Sequence, residues 1–281
     1  MNQHTTLNVS SVSALLPEAP TKRVLVALDA SPQSLAALEG AASLARLLDA
    51  EILGVFVKDT DLERLCSLPF SKEIGAYSST ARALSQFCIS REFHALEEAI
   101  RAALQQAAGR SRVPWSLHVT QGNVTGELLQ AAQEATVLSL GRSGWSQRRQ
   151  FGSTAKTILS KTTQPILLPA LGSNRFSRQD NIKEIKVIYT GTAAAERALN
   201  LARQLADESG RTLVIYTMSS QPPTVPHSGR TIVEVSERIS SSQMITFLER
   251  REAGVTVLPD VESRLTASLI DVVLDPVLLV A

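Results

Sequence analysis

Cysteine is nearly absent: Cys66 and Cys88 are the whole complement of the 281-residue chain, and they form no CxxC pair. Two such residues exclude a disulfide-built scaffold and fit a reducing cytoplasm. Aromatic residues make up only 4%. That scarcity argues against a large all-β fold, a sugar-binding cleft or a base-stacking platform, which all draw on aromatic rings. No apolar run reaches the ~20 residues of a membrane span. The longest candidate, 265–281, is broken by Asp271 and Asp275, so no membrane association is expected. The formal charge is only +1, which leaves no broad basic field for nucleic acid. The four histidines, His4, His94, His118 and His227, lie at no metal-ligand spacing, so no structural metal is expected. Residues 1–20 contain no Lys or Arg, lack the charged start of a signal peptide, and read as a flexible N-terminal arm.

What is present is an ordinary globular composition, 44% apolar and 20% charged, in a chain long enough for two domains. Val24–Leu28 is a continuous apolar run ending at Asp29-Ala30-Ser31-Pro32, the pattern of a strand buried on both faces. Ser31-Pro32 opens a helix carrying Ala37, Leu38, Ala41, Leu44, Ala45 and Leu48 at helical spacing, and a second strand follows over 51–57. Such a βαβ unit implies parallel strands. Residues 59–86 read as short helical turns passing over the sheet edge. A helix over 91–108, a strand over 115–120, a helix over 126–133 and a strand over 136–140 come next. A helix opened by Gly152-Ser153-Thr154 and a fifth strand over 165–170 complete the unit. Strands alternating with helices make an open α/β sheet.

After a polar linker at 172–182 the pattern restarts. Residues 24–57 align without a gap onto 185–218, an offset of 161, with Val26 on Val187 and Leu44-Ala45 on Leu205-Ala206. The final strands align at an offset of 111, Pro165–Ala170 on Pro276–Ala281, so the second copy is 50 residues shorter. The reading is therefore an arm (1–20), a first domain (21–171), a linker (172–182) and a degenerate, truncated second domain (183–281) ending in its last strand.

Ligands of open parallel sheets bind beyond the carboxyl ends of the strands. There the first copy places Asp29 and the segment Gly141-Arg142-Ser143-Gly144. The helix starting near Ser153 offers free N–H groups suited to phosphate, and Arg142, Arg148 and Arg149 add positive charge. The glycines match neither a Walker A loop nor GxGxxG, and position 145 is Trp, so the hydrolase elbow GxSxG is also absent. Asp29 also suits the plainer task of capping the following helix. Cys66, Cys88, Phe93 and Trp115 read as packed apolar residues, and His118 as a packed or surface residue.

These motifs carry a family resemblance. Val26-Ala27-Leu28-Asp29-Ala30-Ser31, Ala37-Leu38-x-x-Ala41, Gln121-Gly122-Asn123, Leu140-Gly141-Arg142-Ser143-Gly144 and Gly152-Ser153 leading to Pro165-Ile166-Leu167-Leu168 resemble a tandem universal stress protein. The resemblance covers nearly all of 22–170 and, at its two ends, 183–281. It implies two Rossmann-like domains of the adenine nucleotide alpha hydrolase type, with strand order 3-2-1-4-5 in the first. It implies an adenine nucleotide, ATP with Mg2+, held by Ala27, Asp29, Val57, Leu140, Gly141, Arg142, Gly144, Gly152, Ser153 and Thr154. Gly144 and Gly152 are separated by seven residues where the family has nine, a loop that cannot wrap phosphates in the same way. In the second copy Thr190 stands for Asp29 and Ser263-Arg264 for Gly152-Ser153, so no nucleotide is expected there. Family members associate through their last strands, which implies antiparallel pairing of Ile166–Ala170 with Val277–Ala281 within the chain; a homodimer is left open.

The leading expectation is a cytoplasmic stress-associated nucleotide-binding protein, with no catalytic residues and at most slow ATP hydrolysis. The competing one is an interaction protein that binds no nucleotide. An adenylate-handling enzyme would show HxGH or SGGxDS, and neither occurs.

Overall fold

The computed structural model describes residues 22–66, 68, 70–74, 81–83, 86–142, 153–170, 182–217, 223, 229–235, 241–259, 266, 269–270 and 272–280. The expectation of an N-terminal arm lies outside them, as does the linker apart from Ile182.

The first half begins with β1 (Arg23–Ala27), α1 (Pro32–Leu48) and β2 (Glu51–Asp59). Ser31 caps α1 by accepting a hydrogen bond from Ser34 N–H, and Pro32 sits in the first turn where no N–H is required. There follow α2 (Thr60–Cys66), β3 (Lys72–Ile74), β4 (Ala81–Ala83), α3 (Gln86–Ser111), β5 (Trp115–Gly122), α4 (Val124–Ala132), β6 (Val137–Ser139), α5 (Ser153–Lys161) and β7 (Ile166–Leu168). Among its described residues the passage over 59–86 thus holds the seven-residue helix α2 and an antiparallel ribbon, β3 with β4, rather than helical turns alone. Three-residue strands are too short to display an alternating pattern.

The second half comprises β8 (Glu184–Tyr189), α6 (Ala193–Ser209), β9 (Thr212–Thr217), β10 (Thr231–Val235), α7 (Ser241–Arg250), β11 (Gly254–Pro259) and β12 (Val277–Val280). The helices α1 and α6 each span 17 residues and occupy matching positions at the sequence offset of 161. The shortening does not remove strands. Most of it falls between β9 and β10, where the 13 positions from 218 to 230 stand in place of α2, the ribbon and α3.

Ten strands form one sheet in the order β10-β9-β8-β11-β12-β7-β6-β1-β2-β5. Each half reads 3-2-1-4-5, and all neighbours are parallel except β7 and β12. Those two pair antiparallel, Val277 opposite Leu168, Leu278 opposite Leu167 and Leu279 opposite Ile166, the contact that the resemblance implied. Each face of the sheet carries an apolar layer drawing on both halves. One joins Val24, Leu44 and Leu104 with Ile185, Leu205 and Leu278; the other joins Leu25, Leu138 and Ile158 with Val214, Leu258 and Leu279. Covering both faces is what strands without polar alternation require. Cys66 is half-buried and packs against the core, whereas Cys88 is exposed, and neither is in a disulfide. Phe93 is buried, Trp115 packs against the core from its edge, and His118 is exposed. Among the described residues no helix is long and apolar enough to cross a membrane.

Polar side chains interrupt the second apolar layer where Lys186 of β8 stands beside Thr256 of β11, both buried. Lys186 of β8, at the position matching Leu25, is 1% exposed, and its ammonium donates to Asp275 Oδ2 at 2.6 Å. Gly254 beside it has no side chain to spare: a Cβ there would stand 2.2 Å from Glu184 O and 3.3 Å from the Lys186 stem. Asp275 lies just ahead of β12, so the ion pair ties the last strand to the centre of its half. Removing one partner leaves a buried charge unpaired, a penalty of about 3–5 kcal/mol, whereas replacing both by apolar residues is close to neutral. Lys186→Met is therefore expected to lower unfolding stability by about that amount in urea titrations, and Lys186→Met with Asp275→Leu to recover most of it.

Candidate functional site

The corner after β1 is built by its own side chains. Asp29 Oδ1 accepts from Ser31 N–H at 2.9 Å, Ser34 Oγ donates to Ser31 O at 3.1 Å, and Asp29 N–H donates to Ser34 Oγ at 3.4 Å. Between them Ala30 adopts φ 58°, in the left-handed region that costs a non-glycine residue of order 1 kcal/mol. Ser31 caps the helix, so Asp29 sets the turn ahead of it and keeps its carboxylate at the carboxyl end of β1.

Around that corner lies a cavity of about 560 Å³. Its walls come from five directions. β1 supplies Ala27, Leu28 and Asp29 at its end; β2 supplies Val55, Phe56, Val57 and Asp59. Leu62 of α2 and Ile89, Glu92, Phe93 and Leu96 of α3 form a facing wall. Val124 and Leu128 of α4 close one side, and Leu140, Gly141, Ser153, Thr154 and Ala155 the other. Phe56 and Phe93 meet edge to face, ring centroids 6.2 Å apart, across the joint of β2 and α3. Gly141 is required by close approach: a Cβ there would lie 3.0 Å from the Gln33 carbonyl carbon in the first turn of α1.

Seven of the ten expected site residues thus line one cavity: Ala27, Asp29, Val57, Leu140, Gly141, Ser153 and Thr154. Gly144 and Gly152, with Arg148 and Arg149, lie outside the described residues. Arg142 is placed differently from its expected role of adding charge to the site. It is buried and absent from the lining; its Nε donates to Pro169 O at 3.0 Å and its Nη1 to Ile270 O. The motif Gln121-Gly122-Asn123 serves two elements: Gln121 donates to Glu63 of α2, and Asn123 caps α4 by accepting from Gly126 N–H at 3.1 Å.

The wall from α3 was missed by sequence reasoning. Ile89, Glu92, Phe93 and Leu96 fall on one helical face, a legible stripe, but its spacing does not say which sheet end it covers. Chemically the cavity has an apolar slot between β2 and α3. Its polar end is formed by Asp29 and by the start of α5, whose first N–H groups have no intrahelical acceptors. Asp29, Asp59 and Glu92 are its acidic members, and no Lys, Arg or His lines it among the described residues. No group of three metal-ligating side chains occurs among the described residues.

In the second half a hollow of about 610 Å³ lies between β9, β10 and α7, lined by Tyr216, Glu234, Phe247 and Arg250 among others. Among the described residues it has no wall equivalent to α2 and α3. Tyr216 and Phe247 stack with centroids 4.6 Å apart, and Arg251 is bound to Glu184.

The profile of the universal stress protein family matches residues 20–168. Among solved structures, a universal stress protein from Archaeoglobus fulgidus DSM 4304 shares the fold with a TM-score of 0.63 at 15% identity, over 92% of this chain and 97% of that one. A putative universal stress protein from Pseudomonas aeruginosa UCBPP-PA14 follows with a TM-score of 0.52 at 9% identity, over 92% and 93%. No curated protein matches the sequence. The chain belongs to the universal stress protein family.

Electrostatics join the two cavity walls. Lys58 of β2 donates to Glu97 of α3 at 3.1 Å, and Arg101 to the other oxygen at 3.2 Å. The hydrogen bond from Lys58 holds the Glu97 carboxyl below its ordinary value against the opposing effect of burial, and Arg101 adds to it. A depressed carboxylate stabilises the fold above its unfolded value, and that contribution is lost as pH falls through the folded one. Denaturant midpoints measured from about pH 7 down to about pH 3 should therefore fall less steeply in Lys58→Met than in the parent chain.

Proposed function

We propose that this chain is a stress-response protein that binds an adenine nucleotide, ATP with Mg2+, in its N-terminal half and carries out no strong catalysis. The observation that carries this reading is the convergence of Asp29, Val57, Gly141 and Ser153 on one cavity at the carboxyl ends of the strands. Ligands of open α/β sheets occupy that position. In this reading the adenine lies in the slot between Val57 and α3, Asp29 meets the ribose, and the α5 N–H groups with the loop 143–152 meet the phosphates. The ion would supply charge neutralisation between the phosphates and the acidic wall. Among the described residues the cavity holds no nucleophile beside a base, which supports slow hydrolysis at most. Residues 21–171 and 183–281 are then two domains of one kind, the second without nucleotide because the 13 positions between β9 and β10 cannot hold a counterpart of α3. A cytoplasmic setting is part of the proposal.

A second reading, an interaction protein independent of nucleotide, draws on a different observation. Leu65, Leu68, Phe70 and Phe87 are exposed around the passage over 59–87, Phe70 at 88%. Exposed apolar side chains mark a contact surface where they form one contiguous patch, and these four fall within 23 positions of the chain.

Calorimetry with ATP, with and without Mg2+, separates the two. The nucleotide reading expects saturable binding by the parent chain and loss of it in Gly152→Trp. It also expects a gain in thermal stability of about 2.7 kcal/mol at a ligand concentration of a hundred times Kd. Absence of binding at millimolar ATP would leave the interaction reading in its place.

A further inference from the structure

Arg142 stands one residue beyond the cavity wall yet turns away from the cavity. It leaves the end of β6 beside Gly141 and is only 8% exposed. A guanidinium at that depth must fill its donors, since a buried charge without partners is costly. Two of its donors go to main-chain carbonyls from different places: Nε to Pro169 O, just past β7 in the N-terminal half, and Nη1 to Ile270 O, in the segment leading to β12 in the C-terminal half. The same segment also belongs to an apolar layer that reaches the end of β6 and α5. Leu269, Ile270 and Val273 belong to one apolar cluster with Leu140 at the end of β6 and with Ala155 and Ile158 of α5. The strand end and the helix that bracket the expected phosphate loop therefore share one apolar layer with residues of the other half, and Arg142 at that strand end is bonded to that half directly.

We infer that Arg142 is a positioning residue that fixes the exit of the chain from β6 against residues 269–273, making the C-terminal half a structural part of the N-terminal ligand site. Its planar fork reaches two carbonyls on different elements at once, a geometry that a lysine ammonium does not reproduce. Binding sites need such support, because groups meeting a ligand must be held near their productive geometry by neighbours that are themselves fixed. If the site is coupled to this segment, the coupling is reciprocal: a ligand that orders the start of α5 also protects the approach to β12. That last consequence rests on the nucleotide reading; the positioning role does not.

The test is hydrogen exchange on the full chain, parent against Arg142→Met and Arg142→Lys, each with and without Mg·ATP. Hydrogen bonds from a charged donor are each worth roughly 1.5–3 kcal/mol, so without ligand exchange over 266–280 and 153–161 should quicken about tenfold or more in Arg142→Met. Arg142→Lys should show a smaller change in the same segments. The reference strands β2, β8 and β9 should stay at parent rates. With Mg·ATP the parent should gain protection over 266–280 as well as 153–161, and Arg142→Met only over 153–161. Unchanged ligand-free exchange over 266–280 in Arg142→Met would overturn the inference, as would equal acceleration in every strand, the mark of mere destabilisation. Should Arg142→Met not fold, Arg142→Lys decides by the same criteria. Failure of Mg·ATP to protect the parent anywhere would count against the nucleotide reading alone, and the ligand-free comparison would still decide the positioning role.

Discussion

The antiparallel pairing of β7 with β12 is the constraint on which the rest of the molecule depends. Each half ends in an apolar strand, Ile166–Leu168 and Val277–Val280, whose outer edge would otherwise present unpaired N–H and C=O groups along buried-type side chains. Such an edge invites association with any other strand. Pairing the two edges with each other satisfies both and joins two five-stranded sheets into one of ten, with β5 and β10 at the borders. It also lets both apolar layers run across the junction, so helix α1 packs beside α6 rather than against solvent. The last-strand edge is consumed within the chain and is not on offer to a second copy.

That junction gives the two halves unequal tasks. The strand order is the same in both, but the connection after the second strand differs: 55 positions from 60 to 114 in the first half, 13 in the second. The long connection carries α2 and α3, and these raise the wall of the cavity around Asp29. The short one has room for no counterpart of α3, and its half instead supplies Ile270, whose carbonyl accepts from Arg142 at the end of β6. Lys186 and Asp275 fit this division. A buried ion pair adds little net stability over apolar packing, but here it fixes where the chain enters β12, the strand on which the junction rests.

Much of this was legible in the residues themselves. Ser31-Pro32 marked the start of α1, the offset of 161 placed α6, and Asp29, Gly141 and Ser153, drawn from positions far apart in the chain, meet at one cavity because parallel strands bring their carboxyl ends together. What was not legible depends on partners distant in sequence. Arg142 reads as charge for a phosphate because it adjoins the glycine segment, and only the fold shows carbonyls 27 and 128 positions away taking its donors. Asp275 looks like a break in an apolar run until Lys186, 89 positions earlier, is found beside it. The α3 stripe and the three-residue strands β3 and β4 fail for a simpler reason: a helix period does not name the surface it covers, and three residues carry no period. The expectations at Gly144, Gly152, Arg148 and Arg149 fall outside the described residues.

The claim that both halves form one cooperative sheet is tested most directly by native-state hydrogen exchange across a urea series, following the amides of β6, β7, β11 and β12. A single sheet held at its centre predicts that all four strands open together with the global unfolding free energy and share its denaturant dependence. The contradicting result would be two separate opening energies, one for each half, with the amides of β7 and β12 exchanging well before either half unfolds.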